Sequence, residues 1–520
     1  MQTANIATNL AEGAARDPLR TALFFADTTW SYREVDDLTT RLASGLRSLQ
    51  MGTGDRIAVM LPNLPEFHFA THATWKAGGV EVPINTMYKE EITEHILRDA
   101  GVKVAFATAE TGAVIERVRG RLPDFETLVA VGPGDNQGTL SFDELLDRGS
   151  RDFTIGNTTE DDLAVIAYTS GTTGFPKGAM LTHRQVIVSM EALRRSLDMD
   201  ESDNVLQVLP CFHSNASLIG IVFAWFLGST AVLVERFETE AFVSTVRETR
   251  PTFFAFVPTL LHDLSRAADQ TGTDFSSVRY VVYGAAPCPP RVRAEVEQRF
   301  DLRLLQAYGM TEAPNAVTLD PVEGQMKPES VGRPLPHIRV TVVNDDGDPC
   351  HVGKPGEICL GPAADGESDL VYEPMKGYWQ NPEDTVQALR DGLFHTGDIG
   401  RVDGDGFVYV IDRKKDMIIR GGNNVFPAEL ERVLVDHPSV EEAYVVGVPD
   451  DRLGEVPKAY VVPRAGAQLS AAEIIAHVGA HLATYKRLEF VEFVTGEALP
   501  RNALGKVLKR ELRVRPGANG

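Results

Sequence analysis

Over the first 400 residues, short apolar runs bounded by Gly or Pro alternate with amphipathic helical patterns, and this alternation restricts the fold more than any other feature. The runs include RIAVMLPN (56–63), VKVAFAT (102–108), LAVIAYTS (163–170), TAVLVE (230–235), FFAFVP (253–258) and RYVVYG (279–284), with helical stretches such as 66–77 and 88–99 between them. A strand that is apolar on both faces has to be covered on both, which suits parallel strands with helical crossovers, so the class is α/β. From about 338 the texture changes to strands joined by tight turns (IRVTVVNDDGDP, GEICLGP, GFVYVIDRKKD), which predicts a β-rich subdomain over about 338–414. A compact α+β segment follows, with strands (EEAYVVGVP, PKAYVVP) and helices (AELERVLVDH, SAAEIIAHVGAHL). The boundary falls at about 415, giving a large domain over 1–414 and a small one over 415–520, long enough to fold by itself.

The strongest local signal is YTSGTTGFPKG (168–178), where a buried strand runs into three glycines, four hydroxyl residues and one lysine. Glycines let the backbone turn and present N–H groups, the hydroxyls of Thr169, Ser170, Thr172 and Thr173 donate further hydrogen bonds, and Lys177 adds a cation. A polyphosphate needs this combination. The loop is not a Walker A motif, because its lysine follows Pro176 and precedes Gly178. Such a site is required by the overall charge. With 73 acidic against 51 basic side chains the net charge is -22, and a surface of that sign repels phosphate backbones and anionic lipid. Nucleic acid and the membrane surface are therefore excluded as partners, and an anionic ligand must meet a local cradle.

Four cysteines, Cys211, Cys288, Cys350 and Cys359, lie far apart with no C-x-x-C pair, which fits a reducing, cytoplasmic compartment rather than a disulfide framework or a zinc site. Met1 to Arg20 has acidic residues and no apolar core, so it does not read as a secretory leader. Ser214 to Val234 carries no charge and is long enough to span a bilayer, but Gly228-Ser-Thr230 interrupts it. We expect a buried helix followed by a buried strand, with no stable membrane insertion.

The loop resembles the signature of the adenylate-forming superfamily, which includes acyl-CoA synthetases, 4-coumarate-CoA ligases, luciferases and the adenylation domains of peptide synthetases. The likeness covers nearly the whole chain, because further motifs follow in the family's order and spacing. It implies ATP, Mg²⁺ and coenzyme A as cofactors and cosubstrate. In the loop it places Thr169, Ser170, Gly171, Thr172, Thr173, Gly174 and Lys177 around phosphate. In QAYGMTE (306–312) it places Gln306, Ala307, Tyr308, Gly309 and Met310 along the nucleotide, with Tyr308 against adenine, Thr311 at the α-phosphate and Glu312 on Mg²⁺; one carboxylate is enough, since Mg²⁺ keeps phosphate oxygens and waters as its other ligands. YGAAP (283–287) would give adenine contacts and a pocket wall through Gly284, Ala285 and Ala286. FHTGD (394–398) puts a carboxylate just after a turn, and the resemblance assigns that carboxylate, Asp398, to the ribose hydroxyls. In DRKKDMIIRGGNN (412–424) the resemblance implies a ribose-supporting Arg413, a hinge at Lys415 and a turn at Gly421 and Gly422 flanking the pantetheine tunnel. PRNALGK (500–506) matches the mobile catalytic lysine, Lys506, which offsets charge as a carboxylate approaches a polyanion. PCFH (210–213) puts His213 where relatives line or gate the acyl pocket. The segments PGEI (355–358) and MKGYWQNP (375–382) also match and read as structural.

The implied function is an ATP-dependent carboxylate–CoA ligase, an AMP-forming acid–thiol ligase acting through an acyl-adenylate on a small carboxylic acid. The alternatives are a stand-alone adenylating enzyme that loads a carrier protein, one that activates a non-carboxylate acid such as nitrite, and a non-catalytic nucleotide sensor. Where many relatives read Ser-Gly-Ala-Ala-Pro-Leu, this chain has Tyr283 and Cys288, a departure that bears on the acyl group rather than on the chemistry. Ser214, Asn215, Ala285, Ala286 and Ala307 are mostly small wall candidates, leaving room for a medium-chain or aryl acid. The sequence does not fix the oligomeric state; a homodimer is one assembly open to it.

Overall fold

The computed structural model describes residues 5–133, 139–156, 158–169, 175–266, 274–286, 288–501 and 507–514. Contacts divide the chain into two compact units, Met1–Arg339 with Leu360–Phe394, and Val340–Cys359 with His395–Gly520.

The apolar runs become strands in the first unit. Among the described residues, one nine-stranded sheet runs Arg333–Pro334, Asn315–Leu319, Leu304–Met310, Tyr280–Tyr283, Phe253–Phe256, Asn204–Gln207, Thr230–Leu233, Thr21–Phe25 and Thr28–Ser31 from edge to edge. Its interior pairings are parallel, and antiparallel pairing is confined to the two ends. A seven-stranded sheet runs Leu140–Ser141, Thr127–Ala130, Val102–Ala107, Arg56–Met60, Val80–Pro83, Leu163–Thr169 and Lys177–Thr182, parallel until the last strand turns back on its neighbour. The α/β class is therefore correct.

The helix starts follow from local chemistry. Ser31 with Glu34, Ser141 with Glu144 and Thr182 with Gln185 form reciprocal capping boxes that satisfy otherwise orphaned N–H groups. Helix Pro65–Lys76 is buried along almost its whole length, His68, His72 and Lys76 included. A helix apolar on one stripe only would leave the other side wet, whereas this one is enclosed and its polar groups need partners. Lys76 finds one in Asp36, 2.6 Å away.

The uncharged stretch is two short helices, Ser214–Ile219 and Ile221–Leu227, then the strand Thr230–Leu233. Among the described residues no helix is long and apolar enough to cross a membrane.

In the second unit the strands Asn423–Val425, Ile418–Arg420, Gly454–Pro463 and Val440–Asp450 form one sheet, with Phe490–Phe493 added in parallel to Gly454–Pro463. Helices Pro427–Val435 and Ala471–His481 cover it, packing Leu430, Leu434, Ile474 and Val478 against Val445 and Val461. Contacts group 340–359 and 395–414 with this C-terminal part and 360–394 with the large unit. A division by contacts is a different quantity from a pivot of motion at 415.

Candidate active site

The first unit brings hydroxyls from two distant segments, at Thr169 and Tyr378, to one carboxylate, that of Glu312. Strand Leu163–Thr169 ends at Thr169 and its partner Lys177–Thr182 begins at Lys177, the two residues facing each other in register. Thr169 Oγ1 donates to Glu312 Oε1 at 3.0 Å, and the hydroxyl of Tyr378 donates to the same oxygen at 3.1 Å. The backbone N–H of Met375 donates to the Glu312 carbonyl at 2.8 Å. With both hydroxyls on Oε1, Oε2 has no protein partner among the described residues, and a hard carboxylate oxygen held in a fixed orientation is what Mg²⁺ takes from a protein. The residues present fit that ion. Next to Glu312, Thr311 Oγ1 lies 3.1 Å from Ser214 Oγ, at the start of helix Ser214–Ile219.

Lys177 is not idle in this state. Its Nζ sits 2.5 Å from Asp384, lowering that carboxyl's pKa, and 5.7 Å over the ring of Tyr378. Tyr378 belongs to the stretch 375–382 that the sequence reads as structural, with Asp384 just beyond it, and the backbone does serve that end: Ala179 bridges Tyr378, and the Trp379 N–H donates to the Gly178 carbonyl at 2.7 Å. The side chain of Tyr378, however, reaches the metal-binding candidate. The order of the motifs gives no sign of that pairing, because 66 residues separate it from Glu312.

Gln306, Ala307, Tyr308, Gly309 and Met310 lie on the strand Leu304–Met310, whose pairing with Asn315–Leu319 shifts register between Tyr308 and Gly309. Gly284 follows the neighbouring strand, and a Cβ on it would stand 2.6 Å from the Ala307 carbonyl oxygen. Only glycine permits that approach. Ala285 comes next with φ of 69°, a strained value for an alanine and one found preferentially where the backbone shapes a ligand site. Gly284 and Ala307 thus meet backbone to backbone, a shelf of small residues.

His213 precedes helix Ser214–Ile219 without capping it, and its ring lies 4.8 Å from that of Phe212. Burial pulls its pKa down to about 4, so the imidazole is neutral at pH 7. Its Nε2 is buried with no hydrogen-bond partner among the described residues.

The second unit holds the other group. Asp398 and Arg413 face each other across the strands Leu393–Val402 and Val408–Arg413, and Arg413 Nε lies 2.7 Å from Asp398 Oδ1. Asp398 was expected just after a turn. It lies instead within a ten-residue strand, because Thr396 is buried, donates to the Ile358 carbonyl at 2.7 Å and accepts the Asp398 N–H at 3.0 Å. Glu357, from the PGEI segment, meets Lys414 at 3.1 Å and His395 at 3.3 Å. Partial desolvation by its neighbours lowers the pKa of Lys415, which is otherwise exposed, and its carbonyl accepts from Arg513 at 3.1 Å. Gly421 and Gly422 adopt φ of 56° and 82°. Ser170, Gly171, Thr172, Thr173, Gly174 and Lys506 lie outside the described residues.

Two family models match in tandem: AMP-binding enzyme over residues 10–379, and AMP-binding enzyme C-terminal domain over 429–506. The chain belongs to the AMP-binding enzyme family. A feruloyl-CoA synthase from Amycolatopsis sp is 36% identical over 509 residues, covering 97% of each chain. Among solved structures, the anthranilate CoA ligase AuaEII in complex with anthranoyl-AMP superposes with a TM-score of 0.88 at 28% identity, covering 98% of this chain and 96% of that one. ATP-bound MatB from Rhodopseudomonas palustris also gives 0.88, at 30% identity and 98% of both chains. The protein is thus an ATP-dependent, AMP-forming acid–thiol ligase, with ATP, Mg²⁺ and coenzyme A as the ligands of its chemistry. All four cysteines are free in this structure.

Proposed function

We propose that this ligase activates a small carboxylic acid, of medium-chain or aryl type, and that the residues named above carry its two half-reactions. The convergence of Thr169 and Tyr378 on Glu312 is the observation that supports this most. In the first half-reaction a substrate carboxylate oxygen attacks the α-phosphorus of ATP, forming the acyl–phosphate bond and breaking the bond to pyrophosphate. Positioning and electrostatics do the work at phosphorus. Thr311 and the loop hydroxyls orient the α-phosphate, the Gly284–Ala286 shelf and Tyr308 hold the base, and Asp398 with Arg413 holds the ribose. Glu312 would hold Mg²⁺, which would supply Lewis-acid neutralisation at the phosphate oxygens. Lys506 donates to the attacking and α-phosphate oxygens together. In the second half-reaction the small domain pivots at Lys415 and withdraws Lys506. The turn at Gly421 and Gly422 then flanks the thiol of coenzyme A, which attacks the carbonyl, expels AMP and loses its proton. Domain motion of this type commonly gates turnover.

The small side chains of Ala285, Ala286 and Ala307, and relatives named for feruloyl and anthranilate substrates, support an aryl or medium-chain acid. A neutral His213 fits an apolar acyl wall. The free cysteines support a reducing, cytoplasmic setting, and a homodimer is the assembly to test by light scattering. The deciding experiment is a pyrophosphate-release screen over a panel of acids, with and without coenzyme A. AMP and pyrophosphate as products, with an acyl-CoA accumulating, meet the proposal; ADP and phosphate, or adenylation with no response to coenzyme A, refute it.

A further inference from the structure

Tyr283 is 1% exposed and sits directly opposite Gln306 on the parallel neighbouring strand. Its hydroxyl oxygen lies 3.1 Å from Arg293 Nη1 and 2.9 Å from the Gln306 side-chain oxygen. A guanidinium is donor only, so at the first contact the phenol accepts. Burial raises the phenol's pKa, so its proton stays on and is left to donate at the second contact. The amide atom it meets must therefore be oxygen. Glutamine's two ends have nearly the same shape, and only the hydrogen-bond network decides which way the group points. Here the network is braced. Arg293 also donates to the Leu304 carbonyl at 2.9 Å and pairs with the buried Asp320 at 3.4 Å. Asp320 accepts the Gln306 backbone N–H at 3.0 Å and returns its own N–H to the Gln306 carbonyl at 2.8 Å.

We propose that Tyr283, backed by Arg293 and Asp320, is a positioning residue that locks the Gln306 amide in one flip state and makes the site prefer adenine over 6-oxopurines. The inference rests on the reading above that Gln306 borders the base. An amide meets the Watson–Crick edge of adenine with its oxygen accepting from N6–H and its NH₂ donating to N1. Hypoxanthine and guanine reverse both signs and require the amide turned over. A glutamine free to rotate serves either base. One whose oxygen already takes the tyrosine proton keeps its second lone pair and its NH₂ for adenine alone, and the wrong base leaves donors and acceptors facing their like.

Two variants test the lock. Tyr283→Phe deletes only the O–H. Arg293→Met keeps the O–H but frees the phenol to accept from a turned amide. The readouts are the ATP:ITP ratio of kcat/KM for pyrophosphate release and the ratio of the two nucleotides' Kd without acid, with a melting curve to confirm folding. We expect both ratios to fall about tenfold or more in each variant, and by more than kcat with ATP falls. A folded variant of either kind that keeps the wild-type ratios overturns the lock. A wild type that binds ATP and ITP equally also overturns it, and does so without touching the ligase reading; a wild type that prefers ATP in binding but releases no pyrophosphate with any acid fails the ligase reading and not the lock.

Discussion

Lowering the pH should loosen the large unit through His183, by an amount that the structure allows to be worked out. His183 is fully buried at the first position of helix His183–Leu197, and its Nδ1 accepts the backbone N–H of Ile6 at 3.3 Å. An accepting Nδ1 places the ring proton on Nε2, which is buried without a partner among the described residues. Protonation would set an N–H against the Ile6 N–H and put a charge in the core. Burial accordingly pulls the pKa to about 4 from its ordinary 6.5, with the nearby Asp162 a smaller opposing influence. Because the folded pKa lies below the unfolded one, the unfolded chain binds more protons across that window. The stability is therefore complete above pH 6.5 and is lost as the pH falls towards 4. At about 1.4 kcal/mol per pKa unit the full loss is about 3 kcal/mol, of which about 2 kcal/mol falls between pH 7 and 5. For a unit of several hundred residues that is about 3 °C in Tm. His183→Asn keeps an acceptor near Nδ1 but does not titrate. Its Tm at pH 7 should be lower, since the ring that packs 6.4 Å from Trp75 is gone, yet its drop between pH 7 and 5 should be smaller than wild type's by about 3 °C. Melting curves at constant ionic strength measure this. Equal drops in the two proteins would refute the reasoning.

Glu312→Gln keeps an oxygen for Thr169 and Tyr378, so Tm should stay within about 2 °C, while pyrophosphate release falls roughly 100-fold and its Mg²⁺ midpoint rises; an unchanged Mg²⁺ titration would remove Glu312 from the metal. Lys506→Ala should lower adenylation by roughly 100-fold or more and leave thioester formation from supplied acyl-AMP within a few-fold of wild type, and equal losses in the two half-reactions would contradict a lysine used in only one of them.

The parallel strands were readable because burial on both faces leaves a continuous apolar signature. Arg56–Met60, Val102–Ala107, Leu163–Thr169 and Phe253–Phe256 all fall inside runs visible in the sequence. The antiparallel additions were not. Lys177–Thr182 is strand only because Leu163–Thr169 pairs with it, and its own residues, KGAMLT, carry no clean alternation. In the site, motif order pointed to Thr169, Glu312, Asp398 and Arg413, since each sits in a short conspicuous phrase. Tyr378 on Glu312, Asp384 on Lys177, and Arg293 between Tyr283 and Asp320 are long-range pairings, and tyrosine, aspartate and arginine are too common for single positions to signal them. Contact grouping was equally hidden. Nothing in GEICLGP says that its first half keeps company with one unit and its second half with the other.

Gln207 has a quieter effect on how this ligase can change. Its Oε1 accepts the N–H of Ile221 at 2.9 Å, and a Cβ on Gly220 would stand 2.1 Å from that oxygen. A side chain from the sheet thus stands in for the helical acceptor where one long uncharged helix would otherwise run on. The short piece carrying Ser214 is thereby set apart from Ile221–Leu227, whose first N–H answers to the sheet while Gly220 joins the two. Any residue other than glycine at 220 would therefore be felt on both sides of the joint, against Gln207 from the sheet and against the Ala216 carbonyl of the short piece.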